Sequence, residues 1–327
     1  GKPKGVGIPG RLSSRLGSHG VSRIPGIAPG LRLHEAPDAY GRPFAFVSTT
    51  AGGLHAVLIE YAGEGAPQPG ESVGAWVARW ENVIAELRAS PVLGISVTTE
   101  LTRPRVLRFA LTYTEAGQPA STGRRRRVGV PDMAVRIGSQ LPRICTLLEA
   151  NAGGRAAPLS AASVTYGVRA TFDPSVAELV GDSGPRPALR WRDVAPTTVR
   201  EAWDHVVHDR ATSVTWAMSG LPGDEPAAAL LGPAPELANA RLQVFFRRAT
   251  RPTAHQDGLA TALTATSTAP ADEAVAALDA LPDRLSQQTR WGLRRVYGGQ
   301  AAAFAATAGL GIAVPGQLKP PQVVAAR

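Results

Sequence analysis

The segment closest in composition to a ligand-binding loop is WGLRRVYGGQAAAFAATAGLG, residues 291–311. Glycine-rich turns that open a helix can bind phosphate through free backbone amides. The chain contains no G-x-x-x-x-G-K-[ST] motif, and GLGIAVPG (309–316) follows a predicted helix instead of joining a strand to one. We therefore interpret residues 291–297 as a strand, Gly298-Gly299 as a tight turn and 300–308 as a short helix, with Phe304 as a packing residue and no anion at Gln300.

Metal and nucleophile patterns are weak. The closest histidines, His205 and His208 in DHVVHD, are three apart, so on a strand they face opposite sides and do not share an ion. The single cysteine, Cys145, excludes an intramolecular disulfide and lies in an apolar helical context that predicts a core thiol. There is no evident acid–base carboxylate pair. The sequence predicts no catalytic residue, no cofactor and no metal.

Arginine supplies the remaining chemistry. The formal net charge is +9, and lysine occurs only at positions 2, 4 and 319. Two clusters stand out: Arg124, Arg125, Arg126 and Arg127 in one run, and Arg247, Arg248 and Arg251 in the other. The second cluster follows Phe245 and Phe246, as in a platform that stacks bases and binds phosphates, although strand alternation sends at least one ring to the core. Both clusters are candidate contacts for a partner or for nucleic acid, with direct nucleic-acid binding the less favoured.

Local patterns predict a mixed chain. Residues 44–48 and 54–61 read as a hairpin, 71–90 as an amphipathic helix, 94–101 and 106–114 as strands, 131–150 and 160–174 as helices. The second half repeats a similar order of elements, with a hairpin turning at Asp209-Arg210, a short helix at 226–231, strands at 241–249 and 258–270, and a helix at 271–288. The predicted class is α+β: two ferredoxin-like units, antiparallel sheets with helices packed on one face.

The predicted organisation has four parts. Residues 1–30 form a basic flexible linker or juxtamembrane arm, with order beginning near Leu31. Residues 31–180 form the first unit, 188–314 the second and 315–327 a tail, with a joint at GDSGPRP (181–187). No window approaches the ~18 apolar residues that a membrane-spanning helix requires, and no signal peptide is visible.

Four ordered segments resemble a known family: APGLRLHEAPDAYGRPFAFVSTTAGGLHAVLIEY, VRIGSQLPRICTLLEANAGGRAAPLSAASVTYGVRATFDPSV, EAWDHVVHDRATSVTWAMSGLP and RRVYGGQAAAFAATAGLG. They resemble the soluble domain of PrgI-like integral membrane proteins of actinobacteria, which are encoded with conjugation or secretion machinery. The resemblance covers roughly residues 28–314. The last segment is also similar to the end of the N-terminal domain of type IV secretion motor ATPases, whose Gln-x-x-x-Phe is held here by Gln300 and Phe304, with no ATPase domain following. Gly41, Pro43 and Asp209 complete the structural signature.

The resemblance implies a non-catalytic docking component at the cytoplasmic face of the membrane. Its partners would be other subunits of the complex, including a motor ATPase, with no small-molecule substrate and membrane attachment through a segment absent from this chain. The chain departs from the family because it lacks the two transmembrane helices and because the stretches at 101–106 and 250–258 are shorter. Alternatives are an EccE-type component of a type VII secretion complex, similar in layout, and a nucleic-acid-binding module using the arginine clusters. An enzyme of unrecognised type is the least supported reading.

Overall fold

The computed structural model describes residues 16–51, 53–89, 92–115, 129–178, 189–232, 237–248, 259–270 and 278–312. They form one antiparallel sheet of 13 strands in the order β1-β2-β3-β4-β6-β5-β11-β12-β10-β9-β8, with β13 beside β10 and β7 beside β4. The strands are β1 Gly17–Ser22, β2 Leu31–Pro37, β3 Pro43–Thr49, β4 Leu54–Ala62, β5 Val92–Glu100, β6 Arg103–Thr114, β7 Arg155–Pro158, β8 Val199–Glu201, β9 Val206–His208, β10 Ala211–Ser219, β11 Asn239–Arg248, β12 Leu259–Pro270 and β13 Arg294–Arg295. The α-helices are α1 Val73–Ala78, α2 Glu81–Ala89, α3 Val130–Ala152, α4 Ala161–Phe172, α5 Pro174–Glu178, α6 Ala227–Leu231, α7 Gln287–Gly292 and α8 Gln300–Ala306.

A single sheet runs through both halves of the chain. Strand β11 pairs with β5 from Arg241 opposite Glu100 to Arg247 opposite Gly94. Through this junction, strands from residues 31–180 and strands from residues 188–314 share one hydrogen-bonded ladder. The predicted α+β class with antiparallel strands is therefore confirmed.

Helices cover both faces of the sheet. Along β3, Phe44 and Phe46 enter a core shared with α1, α2 and α3, whereas Ala45 and Val47 enter a second core shared with α4 and α8. We call these the first face and the second face. The expectation of helices on one face is wrong, because successive side chains of the central strands point in opposite directions and both sets are buried.

Part of the predicted N-terminal arm is ordered. Residues 17–22 form β1, which pairs with β2, and Ile24 and Ile27 are buried in the core of the second face. The prediction of a linker across 1–30 is therefore wrong for residues 17–27, because the isoleucines give this glycine-rich stretch apolar anchors. Residues 1–15 lie outside the described part, as do the joint at 181–187 and the tail at 315–327.

Two of the predicted elements differ in extent. The helix expected over 71–90 is divided into α1 and α2, and the indole N–H groups of Trp76 and Trp80 both donate to the Gly65 carbonyl. The strand expected over 291–297 shrinks to β13, because Ser286 caps α7 by accepting from the Thr289 N–H at 3.3 Å and the helix runs through Trp291. Among the helices described, none combines the length and apolarity that crossing a bilayer requires.

Candidate functional site

Gln300, the first residue of α8, substitutes for a peptide group beside β10. It is fully buried, and its Oε1 accepts from the Thr215 N–H at 2.9 Å while its Nε2 donates to the Thr215 carbonyl at 3.2 Å. The same Nε2 donates to the Val296 carbonyl. The gap lies between the ends of β9 and β13, the two short strands that flank β10 on this side. Gln300 therefore satisfies the Thr215 N–H there, while the Thr215 carbonyl also accepts from the Val296 N–H at 3.1 Å.

The N-terminal end of α8 is not arranged to bind an anion. Its Ala301 N–H donates to the carboxylate of Glu201 at 3.1 Å, so a negative charge of the chain already occupies this end. After the helix, Gly309 and Gly311 have φ values of 69° and 68°. A Cβ at Gly311 would lie 2.8 Å from the Ala110 Cβ, and the Gly311 carbonyl accepts from Thr112. These glycines let the chain lie flat against the sheet.

Phe304, one turn after Gln300, anchors α8 in the core of the second face. Its ring centroid lies 5.2 Å from that of Phe172 and 4.6 Å from that of His208. The guanidinium of Arg241 stacks over the ring, with Cζ 4.7 Å from its centroid. The predicted packing role of Phe304 agrees with these contacts.

His208 is a buried neutral histidine. Its Nδ1 donates to the Phe172 carbonyl at 2.6 Å, which leaves Nε2 to accept from the Ser213 hydroxyl at 2.8 Å. Burial lowers the pKa of His208 to about 4, against an opposing effect of the bond to the Phe172 carbonyl. His205, by contrast, bonds to Asp204 at the hairpin end, so the two histidines do not converge. Among the described residues, no cluster of His, Cys, Asp or Glu could hold a metal ion.

Asp209 closes the β9–β10 turn as predicted, with φ of 49°. Its Oδ1 accepts from the backbone N–H groups of Thr197 and Thr198 at 2.7 and 3.1 Å, and its Oδ2 accepts from Arg169 at 2.7 Å. Short polar side chains such as aspartate tolerate this left-handed conformation because they bond locally. The signature residue therefore ties the turn to α4.

Gly41 and Pro43 shape the turn between β2 and β3. Gly41 has φ of 80°, and Pro43 begins β3 opposite Pro37. The buried Asp38 carboxylate holds the turn by accepting from the N–H groups of Tyr40 and Arg42 at 2.8 and 2.9 Å. All five signature residues thus serve the framework.

The arginine clusters cannot be placed as a site. Arg124 to Arg127 and Arg251 lie outside the described residues. Arg247 and Arg248 end β11, with side chains also outside the described part. Phe246 is buried, as strand alternation required for at least one of the two phenylalanines.

A buried arginine that sequence reasoning missed lies on the second face. Arg241 is 1% exposed, and burial lowers the pKa of its guanidinium to about 10. Its bonds to the Thr171 carbonyl and the Thr307 hydroxyl are both 3.4 Å long. Glu100 lies directly opposite on β5 and counters the charge. The only sequence signal was the alternation of Arg241 with the apolar positions of β11.

Sequence reasoning also missed a row of three hydrogen-bonded side chains, a serine, a histidine and a glutamate. The Ser48 hydroxyl and His55 Nδ1 are 2.7 Å apart, and His55 Nε2 lies 3.2 Å from the Glu115 carboxylate. Because the carboxylate only accepts, the ring donates to Glu115 and accepts from Ser48. Yet Ser48 is 4% exposed and His55 1%, and burial lowers the pKa of His55. These three side chains link β3, β4 and the end of β6, and the Ser48 hydroxyl is not presented to solvent as a nucleophile. Cys145 is likewise buried, as predicted, and burial raises its pKa to about 11.

An open groove of about 520 Å³ lies between α2, α3 and the β2–β3 turn. Tyr40, Pro142 and Leu147 form part of its lining, and the Glu86–Arg143 ion pair spans 3.0 Å beside them. It contains no nucleophile paired with a base.

No protein-family model matches the chain, and no curated protein matches it significantly. The resemblance to PrgI-like proteins therefore enters below as a proposal.

Two exposed aromatic side chains form a pair at the β8 edge of the sheet. Trp203, 71% exposed, is at the tip of the β8–β9 hairpin, and Tyr297 is 58% exposed. Their ring centroids are 6.3 Å apart with planes 27° from parallel. The Trp203 carbonyl accepts from the Gly298 N–H at 2.7 Å, and a Cβ on Gly298 would lie 2.6 Å from the indole. We call Trp203 and Tyr297 the aromatic pair. The backbone bond between Trp203 and Gly298 therefore holds the two exposed rings side by side.

Proposed function

We propose that this chain is a non-catalytic docking component of a bacterial secretion or conjugative DNA-transfer apparatus of the type IV kind. The observation that supports this most is the contrast between the interior and the aromatic pair. The potentially reactive groups Cys145, His208 and Ser48 are buried or bonded into the framework. The aromatic pair, which has residue types that are enriched in protein interfaces, is exposed to solvent.

The resemblance supplies the rest of the proposal. The chain would act at the cytoplasmic face of the cell membrane, joined to it by a segment outside this sequence, and would contact a motor ATPase. In the finer fold assignment, each half of the sheet with its helices would be a ferredoxin-like unit. An EccE-type position in a type VII complex is the nearest alternative within the same class.

The test is to tag a motor ATPase of the host's secretion or conjugation apparatus and purify its membrane complex. The chain should be present in that complex, and deleting its gene should abolish DNA transfer or secretion. Recovery with the core subunits of a type VII complex would move the assignment to the EccE-type alternative. Absence from both complexes, with transfer unaffected by the deletion, contradicts the proposal.

A nucleic-acid-binding module is the second candidate, favoured by the net charge of +9 and the arginine runs. Binding to single- or double-stranded DNA should then fall steeply as salt rises, because phosphate contacts release counterions. A mobility shift that is absent even at low salt removes this candidate.

A further inference from the structure

The edge of the sheet beside the aromatic pair has backbone groups that no other described strand pairs with. In the β8–β9 hairpin, the Asp209 N–H donates to the Thr198 carbonyl and the Ala202 N–H to the His205 carbonyl. Antiparallel strands alternate bonded and unbonded pairs, so the backbone groups of Val199 and Glu201 face away from β9. No described strand pairs with that side of β8. Such an edge is a template for an added strand.

Unpaired charge beside this edge is positive. Arg200 and Arg294, each three positions before one member of the aromatic pair, are exposed and form no ion pair with any described residue. The acidic neighbours are already engaged, since Asp204 pairs with Arg295 at 3.3 Å and Glu201 accepts from Ala301. Carboxylates of a partner would therefore find cations here.

The same neighbours disfavour a nucleic acid. Glu201 and Asp204 stand on either side of Trp203 in the turn. A polyanion stacked on this indole would bring its phosphates close to two carboxylates, which like-charge repulsion opposes. A polypeptide can instead place its charges individually.

We propose that the outer edge of β8 and the aromatic pair together bind an extended, acidic segment of a partner protein. The segment adds as a strand to Val199–Glu201, places an apolar side chain on Trp203 and Tyr297, and directs carboxylates towards Arg200 and Arg294. This deepens the proposed function and rests on it, since it names the surface by which docking occurs.

The test uses an array of synthetic peptides of about ten residues, long enough to form a strand, with alternating carboxylate and apolar side chains. A sister set carries lysine in place of each carboxylate. The full chain is compared with three variants, Trp203→Ser, Tyr297→Ser and Val199→Pro. The proline removes an outward N–H and leaves pairing with β9 intact, as edge positions tolerate. Trp291→Ser is the matched control, because Trp291 is 67% exposed at the end of α7 and belongs neither to this hairpin nor to the aromatic pair.

The wild-type chain should bind acidic peptides and not their lysine counterparts. Each of the three variants should weaken that binding by about tenfold or more, as truncation of interface aromatics does, while Trp291→Ser leaves it unchanged. Equal binding by all variants, or no acidic peptide bound by the wild type, overturns the proposal. Circular dichroism of each variant confirms that it is folded.

Two further measurements distinguish other occupants. If an oligo(dT) strand quenches Trp203 fluorescence and competes with the peptides, the surface binds nucleic acid and the proposal fails. If ultracentrifugation finds a dimer that Val199→Pro dissociates, a second copy occupies the edge and the proposal also fails. If Trp203→Ser is recovered with the tagged motor complex at wild-type levels, this surface is not the docking surface, and the proposed function still stands. Peptide binding by a chain absent from that complex would contradict the function alone.

Discussion

Gln300 and Gln287 are each the first residue of a short helix, yet only one is inside the protein. Replacing Gln300 with Ala leaves the Thr215 N–H and the Val296 carbonyl without their partner in a buried setting, whereas the Thr215 carbonyl keeps its bond from the Val296 N–H at 3.1 Å. We expect the free energy of unfolding to fall by about 3 kcal/mol, since each stranded buried group costs ~1–3 kcal/mol. Urea titration measures it, and Gln287→Ala, on the exposed surface, should change it little. Equal effects at the two positions would mean that the amide does not stabilise β10.

Two buried histidines make stability depend on pH. Burial, with smaller contributions from Arg32, His55 and His19, lowers the pKa of His34 to about 4, and burial likewise lowers that of His208 to about 4. The unfolded chain then binds protons first, so stability is complete above the ordinary value near 6.5 and falls as the pH drops towards 4. Each histidine accounts for up to about 3 kcal/mol of that loss.

The variants His34→Phe and His208→Phe separate the two contributions. Neither ring nitrogen of His34 bonds to a described residue, and the ring stacks on Phe46 at 4.9 Å. His34→Phe should therefore flatten the acid slope without loss at pH near 7. His208→Phe should lower stability even at neutral pH, because the Phe172 carbonyl loses its donor and the Ser213 hydroxyl keeps only its bond with Thr268. Urea unfolding between neutral and acidic pH measures both, and an unchanged slope in His34→Phe would refute the assignment.

The segment after β1 depends on one glycine for its contact with α8. Gly26 has φ of 81°, and a Cβ there would lie 2.2 Å from the Ala301 carbonyl oxygen. Gly20, with φ of 93°, has open space around its missing Cβ and supplies the matched control. Gly20→Ala should cost about 1 kcal/mol from backbone strain alone, and Gly26→Ala clearly more, because the segment must leave the helix. Thermal unfolding compares them, and equal shifts would contradict this contact.

Elements whose signals are local were predictable from the sequence. Gly153, in the left-handed conformation, ends α3, and Ser160 caps α4 by accepting from the Ser163 N–H at 3.2 Å. The Asp209 turn and the β3–β4 hairpin follow from turn residues between apolar runs. In each case the residues that set the conformation lie within a few positions of it.

Elements that depend on distant partners were not predictable. The three residues of β8 and the two of β13 are strands only because β9 and β10 lie beside them. The bond between Gln243 and Thr98 joins positions 145 residues apart, which no window of sequence contains. Gln300 was recognised by resemblance, but its surrogate-peptide role required the position of Thr215. Tertiary context decides such elements.

At the scale of the whole molecule, both ends of the sheet reach the same helix. Gly26, just after β1, contacts the Ala301 carbonyl, and Glu201 of β8 accepts from the Ala301 N–H. Val206 of β9 shares a core with Ile24 and Ile27. The sheet therefore curls around α8, as the twist of a many-stranded sheet allows. We therefore expect the edge strands β1 and β8 to unfold together with α8.

We expect the β5–β11 junction to make the two halves of the sheet unfold as one cooperative unit. Val244, fully buried on the first face, lies opposite Val97 at the middle of this ladder. Val244→Asp places a carboxylate in the apolar core, and hydrogen exchange should rise in β3–β4 and in β10–β12 alike, at one common urea concentration. Val135→Asp, on the exposed side of α3, is the control and should leave both regions protected. If β10–β12 instead opened while β3–β4 stayed protected, residues 31–180 and 188–314 would be independent domains, because the ladder between them would then be too weak to couple their unfolding.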